Sequence, residues 1–546
     1  MIGRLTWGFV GLGLALRVGA YLLDFPLWWD EAFVAVNLLR RDALGLLGPL
    51  DYGQVAPLLF LWGELASVRV LGFSEWSLRL VPCLAALASV PLFRLVAVKL
   101  LEPRAALAAL AIFAVSIHPI RHAADLKPYS LDLLAALALQ GLALWWWQEP
   151  QTAGRLLTLA GVVPLALACS HPSAFVAGGV GMAIAWPAWK TGLWSVRLAA
   201  LAYALAASIA WVGLYLLFAR SQSAAASEAM RVMWTRSFPP ADSFPALLGW
   251  LAVVHTGDLM AYPCGGESGG SILSLFATMV GVVALVRSGR GLVASILLAP
   301  FGLAMVAAAL RLYPYGGPAP HGSAARVMQY AAPALCLLIG LGASRLLRGD
   351  RPFRLGLVGL VVVGLVPLVE GLRQPYRAYQ AEASRRFARG FWPEVEAGAE
   401  VASLRWDFEG VADWDSIHLG VAVALCDEAI NSPSRKRGGP RWGAVSADRP
   451  LRCVLEVASP SDRPRVEAWL ERMKADFLLT RRRSTPVNTA EPGRAPRLEV
   501  YEVYEFLPKV RRTVVPPDAQ AVKGSYSSGL RLSAAGIRPL TTCSTK

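Results

Sequence analysis

Charge is what this sequence lacks. Asp, Glu, Lys and Arg make up 17% of its 546 residues, hydrophobic residues make up 55%, and the mean hydropathy is +0.46. A soluble protein of this size would need apolar cores larger than single domains sustain, so a soluble globular enzyme is excluded. Acidic residues are the scarcer sign, 38 against 53 basic ones, for a formal net charge of +15. On a soluble chain that excess would point to nucleic acid. On a membrane protein it collects in cytoplasmic loops, and no nucleic acid partner is expected. Cysteine is sparse as well: seven residues, with no CxxC and no zinc spacing. Cys83, Cys169 and Cys336 lie in apolar runs and read as small hydrophobes. Cys426 and Cys453 lie in a polar region and could pair if it is exported. There is no internal repeat, and none of the inverted symmetry seen in many transporters.

Long apolar runs are what the chain has in abundance. They fall at about 5–23, 56–73, 78–100, 105–116, 129–147, 156–169, 173–186, 198–218, 271–286, 292–310, 327–347 and 353–372. Runs of about 18 or more residues with few charges read as membrane spans. The first has no small-x-small cleavage site after it, so it is read as a retained span rather than a signal peptide. The basic connectors "VKLLEPR" (98–104), "WKTGLWSVR" (189–197), "VRSGR" (286–290) and "RLLRGDRPFR" (345–354) are assigned to the cytoplasm. Loops 24–77, 118–128, 219–270 and 311–326, and everything after 372, then fall outside. The alternation closes if 56–73 lies in the membrane without crossing. Gln54 and Pro57 stand at its start, and it carries Glu64 and Arg69.

The expected fold is therefore an α-helical polytopic membrane protein with about 11 to 13 spans, its N-terminus in and its C-terminus out. The membrane domain is expected to cover 1–373, a small exported α/β domain 374–525, and a mobile tail 526–546. In the exported part "EVASLRW", "LRCVLEVAS" and "RLEVYEVYEF" alternate like strands. "PRVEAWLERMKADFL" has helical spacing, and "NSPSRKRGGPR" (431–441) reads as a solvated basic loop.

The spans hold few ionisable side chains: Arg17, Arg94 and, at a span end, Lys99. A proton or ion pump would need carboxylates at mid-membrane. Here the carboxylates gather at one face instead. Asp30 and Glu31 are in the first outer loop, Asp125 is in the second, and Asp132 is one turn into the following span. Around them stand His118, Arg121, His122, Lys127, Tyr129, His171, Tyr313, Tyr315, His321 and Arg326. Cations at that depth suit a lipid-linked phosphate leaving group. A carboxylate suits removal of a proton from an attacking hydroxyl.

Each residue also has a purely structural reading. Asp30 suits a helix N-cap and Glu31 the first helical turn, with Trp28 and Trp29 as an interfacial belt. Lys127 suits snorkelling. Asp132 is too short to snorkel and must meet a partner or water. His118, His122 and His171 lack the tight spacing of a metal site, so a divalent metal is compatible with the sequence and not required by it. The "DWD" of Asp413 and Asp415 reads as a loop.

The ordered elements carry a resemblance. After a first span come an outer "DE" opening an amphipathic helix, "GQVAPLLFLWGELASVRVLGFSEWSLRLVP", "HAADLKPYSLDLLAAL", "SHPSAFV" and a late "YPYGG". Over about residues 5–372 this resembles the GT-C membrane glycosyltransferases that use polyprenyl-phosphate sugars. Within them it is similar to the branch of protein O-mannosyltransferases and the lipid A aminoarabinose transferase. The resemblance implies that Asp30 is the catalytic base with Glu31 beside it. It implies that the helix near Gln54 and Pro57 packs at the donor, that the basic-then-acidic pair falls on Lys127 and Asp132, and that the Arg after "YPYGG" falls on Arg326. It also implies a bacterial inner membrane. Arg121 and Tyr129 are further candidates for donor binding, and Gln54, His122, Asp125, His171 and Tyr313 for substrate binding. The chain departs from the mannosyltransferases, which carry a proline pair after a His where this sequence has "QVAP". The expected activity is transfer of a sugar from a polyprenyl phosphate to a glycan, lipid or protein acceptor, with inversion. A lipid or glycan transporter is the rival, and a structural membrane protein with a ligand-binding exported domain a further one.

Overall fold

Uncharged runs of Leu, Ala and Val satisfy their own backbone only as helices once water is absent. The computed structural model describes residues 2–223, 234–266, 269–319, 322–373, 378–394, 399–402, 417–426, 449–457, 463–490 and 495–509. The basic loop 431–441, Asp413, Asp415, His321 and the tail 526–546 lie outside the described residues. The described residues up to Pro508 form one compact unit.

The first part of the chain runs through α1 (Ile2–Leu22), α2 (Trp29–Arg40), α3 (Leu58–Leu71), α4 (Glu75–Leu78), α5 (Leu80–Leu100), α6 (Pro103–Val115) and α7 (Ile117–Arg121). It continues through α8 (Tyr129–Gln148), α9 (Ala153–Cys169), α10 (Ser173–Lys190) and α11 (Trp194–Leu214). Then come α12 (Phe244–Thr256), α13 (Ile272–Arg287), α14 (Gly291–Ala309), a 3-10 segment at Ala324–Ala331, α15 (Ala332–Leu346) and α16 (Asp350–Arg373). Among the described residues, seven helices are long and apolar enough to cross a membrane. An eighth is counted if α6 and the segment Ile117–Ala124, bent by 47°, are one span.

The difference from the expected 11 to 13 lies in the short helices. α9 and α13 have 17 and 16 residues. α10 has 18, diluted by Gly178, Gly179, Gly181, Trp186, Pro187 and Lys190. α3 has 14 residues, about 21 Å of helix against a hydrocarbon core of about 30 Å. At that length it falls short of the hydrocarbon core.

Beyond α16 lie α17 (Tyr379–Phe391), α18 (Ile417–Leu425) and α19 (Arg463–Met473). Counting only its strands, the sheet contains β1 (Glu400–Ala402), β2 (Leu451–Val457), β3 (Phe477–Asn488) and β4 (Leu498–Pro508), in the order β1-β2-β4-β3. β1 pairs parallel to β2, and the other pairings are antiparallel. Alternation gives the sheet two buried faces. Leu451, Cys453, Leu455, Tyr504 and Phe506 pack on Val466, Trp469 and Leu470 of α19. Val454, Tyr501 and Val503 join a different core, with Phe33 and Val36 of α2, Phe60 of α3, Phe391 of α17 and Val421 of α18. The module after α16 is thus packed directly on the helix that carries Asp30. This partition also decides the Cys426–Cys453 pairing. Cys426 and Cys453 are free thiols, because Cys453 is buried in the α19 core while Cys426 packs against the α2 core.

The 3-10 segment that carries Arg326 runs straight into α15, and α15 is held by backbone-to-backbone contact. A Cβ added at Gly342 would lie 1.9 Å from the Ala277 carbonyl oxygen, and one at Gly281 would lie 2.2 Å from that of Leu338. Small residues at such crossings let membrane helices approach closely. Gly342→Val should force α13 and α15 apart at a cost of about 1–3 kcal/mol. Thermal unfolding of the purified protein in detergent checks this: the unfolding temperature should drop by several degrees, and an unchanged value contradicts the contact.

Candidate active site

The α2 helix starts at Trp29 with Trp28 as its cap residue, so Asp30 stands at the second helical position and does not cap. The cap-like bond comes from Glu31, whose carboxylate accepts the Trp28 backbone N–H at 3.3 Å. Glu31 is fully buried. It accepts from Arg79 Nε at 2.9 Å and Nη2 at 2.7 Å, and from the Leu126 backbone N–H at 2.8 Å. Arg79 also donates to the Phe25 carbonyl. Burial works against the Arg79 charge, and the Glu31 carboxylate overrides it, holding the guanidinium above its ordinary value. The pair therefore ties three segments together: the α2 start, the α4–α5 junction and the 118–128 loop.

With Glu31 engaged there, Asp30 faces the other way. Its Oδ1 lies 2.9 Å from Lys127 Nζ and its Oδ2 3.6 Å from Arg326 Nη1, and only 11% of its side chain is exposed. Lys127 also donates to Gln54 Oε1 at 2.8 Å. Burial pushes the Lys127 ammonium below its ordinary value, with Asp30 pulling it back. Arg326 lies over the rings of both Trp28 and Trp234, at 5.4 and 5.3 Å from their centroids. Two such aromatic faces suit a desolvated guanidinium. Gln54 is delivered by a tight turn in which Tyr52 and Gly53 have φ of 61° and 60°. A left-handed Tyr persists only where its surroundings over-determine it. Here its ring stacks on Phe33 at 5.0 Å. The Asp51 N–H donates to Asn37 Oδ1 at 2.9 Å, and the Asp51 carboxylate pairs with Arg41 at 2.9 Å.

The other candidates fall around this centre. His122 Nδ1 lies 2.6 Å from Asp125 Oδ2, both side chains buried, and the His122 ring meets Tyr129 edge to face at 4.8 Å. Arg121 is exposed, within electrostatic reach of Arg326 and Glu31. Asp132 is buried in α8 and hydrogen-bonds Ser170. The Tyr313 hydroxyl donates to the Val327 carbonyl at 2.8 Å, one residue after Arg326. His171 hydrogen-bonds the Ala56 carbonyl. The structure thus brings Asp30, Lys127, Gln54 and Arg326 into one cluster. Asp132 and His171 stand in a neighbouring group, and Glu31 is turned toward Arg79. Among the described residues no group of three or more His, Cys, Asp or Glu could hold a metal ion. Sequence reasoning missed Arg79, Trp234 and Gln222. Arg79 ends "SEWSLR", where an Arg at a span start could have been matched to the spare carboxylate of "DE".

No family model and no curated protein matches the chain. Solved structures with a related chain path include ArnT from Cupriavidus metallidurans bound to undecaprenyl phosphate. The TM-score is 0.49 at 12% identity, covering 91% of this chain and 97% of that one. The archaeal oligosaccharyltransferase AglB from Archaeoglobus fulgidus, in complex with an inhibitory peptide and a dolichol-phosphate, has a TM-score of 0.45 at 9% identity. It covers 76% of this chain and 63% of that one. At these scores no functional conclusion rests on the likeness.

Two outcomes follow from the site geometry. Arg79→Ala leaves Glu31 buried and unpaired, and should cost about 3–5 kcal/mol, whereas replacing both partners with apolar residues of similar volume should recover most of it. Thermal unfolding of the two variants checks this, and equal losses would contradict it. Burial pushes His171 from 6.5 to about 4, with the Ala56 carbonyl working the other way. Between those values the unfolded chain takes up a proton that the folded chain refuses, so stability falls as pH is lowered through that window. His171→Gln should flatten that part of the pH–stability curve, and an unaltered slope would overturn the assignment.

Proposed function

We propose that this protein is a membrane glycosyltransferase that moves a sugar from a polyprenyl phosphate to an acceptor at the membrane face where Asp30 lies; the placement of the basic loops supports reading that face as the extracytoplasmic one. One observation carries the reading. A buried carboxylate is held by two buried cations from distant segments, beside helices apolar enough to border lipid. The cations suit a lipid phosphate, and the carboxylate suits an acceptor proton. The ordered sequence elements that resemble polyprenyl-phosphate glycosyltransferases support the same assignment.

Without donor, Lys127 and Arg326 both pair with Asp30, whose single charge offsets only part of theirs. A phosphate entering from the lipid side competes for both cations and offers them more acceptor oxygens than the carboxylate does. As it takes them over, Asp30 is released to accept a proton. The acceptor oxygen or nitrogen then attacks the anomeric carbon. The bond from that carbon to the phosphate oxygen breaks, the acceptor proton passes to Asp30, and the electron pair leaves on the lipid phosphate. Lys127 and Arg326 stabilise that developing charge. One displacement inverts the anomeric centre. Glu31 acts as a positioning residue through Arg79, and Arg121 lies close enough to Arg326 to add positive potential beside it.

A lipid flippase would use the same cations but needs no base. The test is to incubate purified protein with a panel of radiolabelled polyprenyl-phosphate sugars and a membrane extract as acceptor, with Asp30→Asn alongside. Label should leave the lipid of one donor in the wild type and stay on it in the variant, a loss of at least about 1,000-fold. A fully active Asp30→Asn removes the proposed base. Label that crosses the membrane while staying on the lipid favours the flippase.

A further inference from the structure

Beside the Asp30 cluster lies a second set of buried polar side chains that the steps above do not use. The Asp132 carboxylate hydrogen-bonds Ser170, and Ser170 Oγ accepts the Ser173 N–H at 3.2 Å. His171, between them, bonds the Ala56 carbonyl, and the Ala56 N–H donates to Gln222 Oε1 at 3.1 Å. Two residues before Ala56 is Gln54, which Lys127 holds while pairing with Asp30. The set is therefore tied to the Asp30 cluster through residues 54–56.

Four atoms of this set have no hydrogen-bond partner among the described residues: Asp132 Oδ1, His171 Nε2, Ser173 Oγ and Gln222 Nε2. Asp132 is 2% exposed, and Ser173 and Gln222 are fully buried. A buried polar atom left unpaired carries the full desolvation penalty of that group. The four lie on side chains linked through the Ala56 backbone and the 170–173 turn, so one polar ligand reaching that group would meet several of them. Their chemistry limits what it is. The bond to the Ala56 carbonyl requires a protonated ring nitrogen, and Nε2 is the one left without a partner. Nδ1 therefore donates, and in the neutral ring Nε2 accepts. Asp132 Oδ1 accepts from a hydroxyl or, as a carboxylic acid, donates to one, Gln222 Nε2 donates, and Ser173 Oγ does either. A phosphate only accepts, so it cannot satisfy His171 Nε2. A hydrocarbon satisfies none of the four. Adjacent hydroxyls, each both donor and acceptor, satisfy all of them.

We propose that Asp132, His171, Ser173 and Gln222 form a subsite for the hydroxyl groups of the transferred sugar. The assignment rests on the glycosyl-transfer reading above. It gives the sugar ring a place one hydrogen-bonded segment away from the phosphate cations, and it makes these four side chains determinants of which sugar is taken.

The test measures binding to the full-length protein in detergent of bare polyprenyl phosphate and of the same lipid carrying a hexose, a pentose or an amino sugar. The wild type should bind at least one glycosylated lipid more tightly than the bare one. Ser173→Ala and Gln222→Leu should each weaken that lipid by roughly 5–10-fold and leave the bare lipid within about twofold. Ser173→Ala deletes one oxygen that has no partner among the described residues, so it should unfold no earlier than the wild type and keeps the test usable if Gln222→Leu folds poorly. Unchanged binding of the glycosylated lipid in the variants would overturn the subsite and leave the four atoms as hydrated structural groups. So would equal weakening of both lipids, or a wild type that prefers no sugar. A wild type that binds neither lipid refutes the glycosyl-transfer reading itself.

Discussion

The rest of the site depends on one interaction, the pairing of the Asp30 carboxylate with the Lys127 ammonium and the Arg326 guanidinium. The three residues come from three distant parts of the chain, and none is tolerable where it lies without the others. A buried charge left alone costs several kcal/mol. The surrounding structure can be read as what keeps them together. Glu31 and Arg79 fix the start of α2 to the 118–128 loop. Gln54 steadies Lys127 from a strained turn. Two tryptophan rings hold Arg326 from both sides. The same pairing suits a site that must wait: the cations are satisfied until a better anion arrives, and its arrival releases the carboxylate.

The module after α16 belongs to this arrangement. Arg385 of α17 donates to the Asp24 carbonyl at 2.7 Å and pairs with Glu382 at 3.0 Å, and it approaches the Asp24 and Glu75 carboxylates at 3.7 and 3.9 Å. Asp24 precedes the turn into α2, and Glu75 belongs to α4, four residues before Arg79. The sheet face with Val454, Tyr501 and Val503 shares a core with the buried side of α2. The helix that bears Asp30 is thus packed between the membrane helices and this module. Its ten consecutive buried residues, Asp30–Leu39, follow from contact on all sides.

Much of this was legible in the sequence, and what was not has physical reasons. Long uncharged runs read as helices because nothing else satisfies a backbone in lipid. The short helices α9, α10 and α13 were harder, because a span and a buried helix share the same composition near 16–18 residues. The strands at 451–457 and 498–508 alternate and were found. β3 was missed because three arginines and a proline at 481–486 mask its pattern on an edge strand with both faces largely exposed. At the site, residue types clustered at one face were enough to gather Asp30, Lys127 and Arg326. Which of two adjacent carboxylates points at which cation was not legible. Asp30 and Glu31 differ by 100° around a helix, and only the tertiary position of Arg79 decides the matter. The Cys426–Cys453 pair failed for a related reason: a strand's two faces belong to two cores, and sequence distance does not say which.

The central claim is that a lipid phosphate replaces Asp30 as the partner of Lys127 and Arg326. Binding of bare polyprenyl phosphate to the wild type and to Asp30→Asn tests it most directly. If phosphate and carboxylate compete for the same two cations, removing the carboxylate charge should tighten binding by roughly tenfold or more, with the gain shrinking as salt is raised. Binding that is unchanged or weaker in a folded Asp30→Asn protein would show that the phosphate sits elsewhere, and would contradict the account.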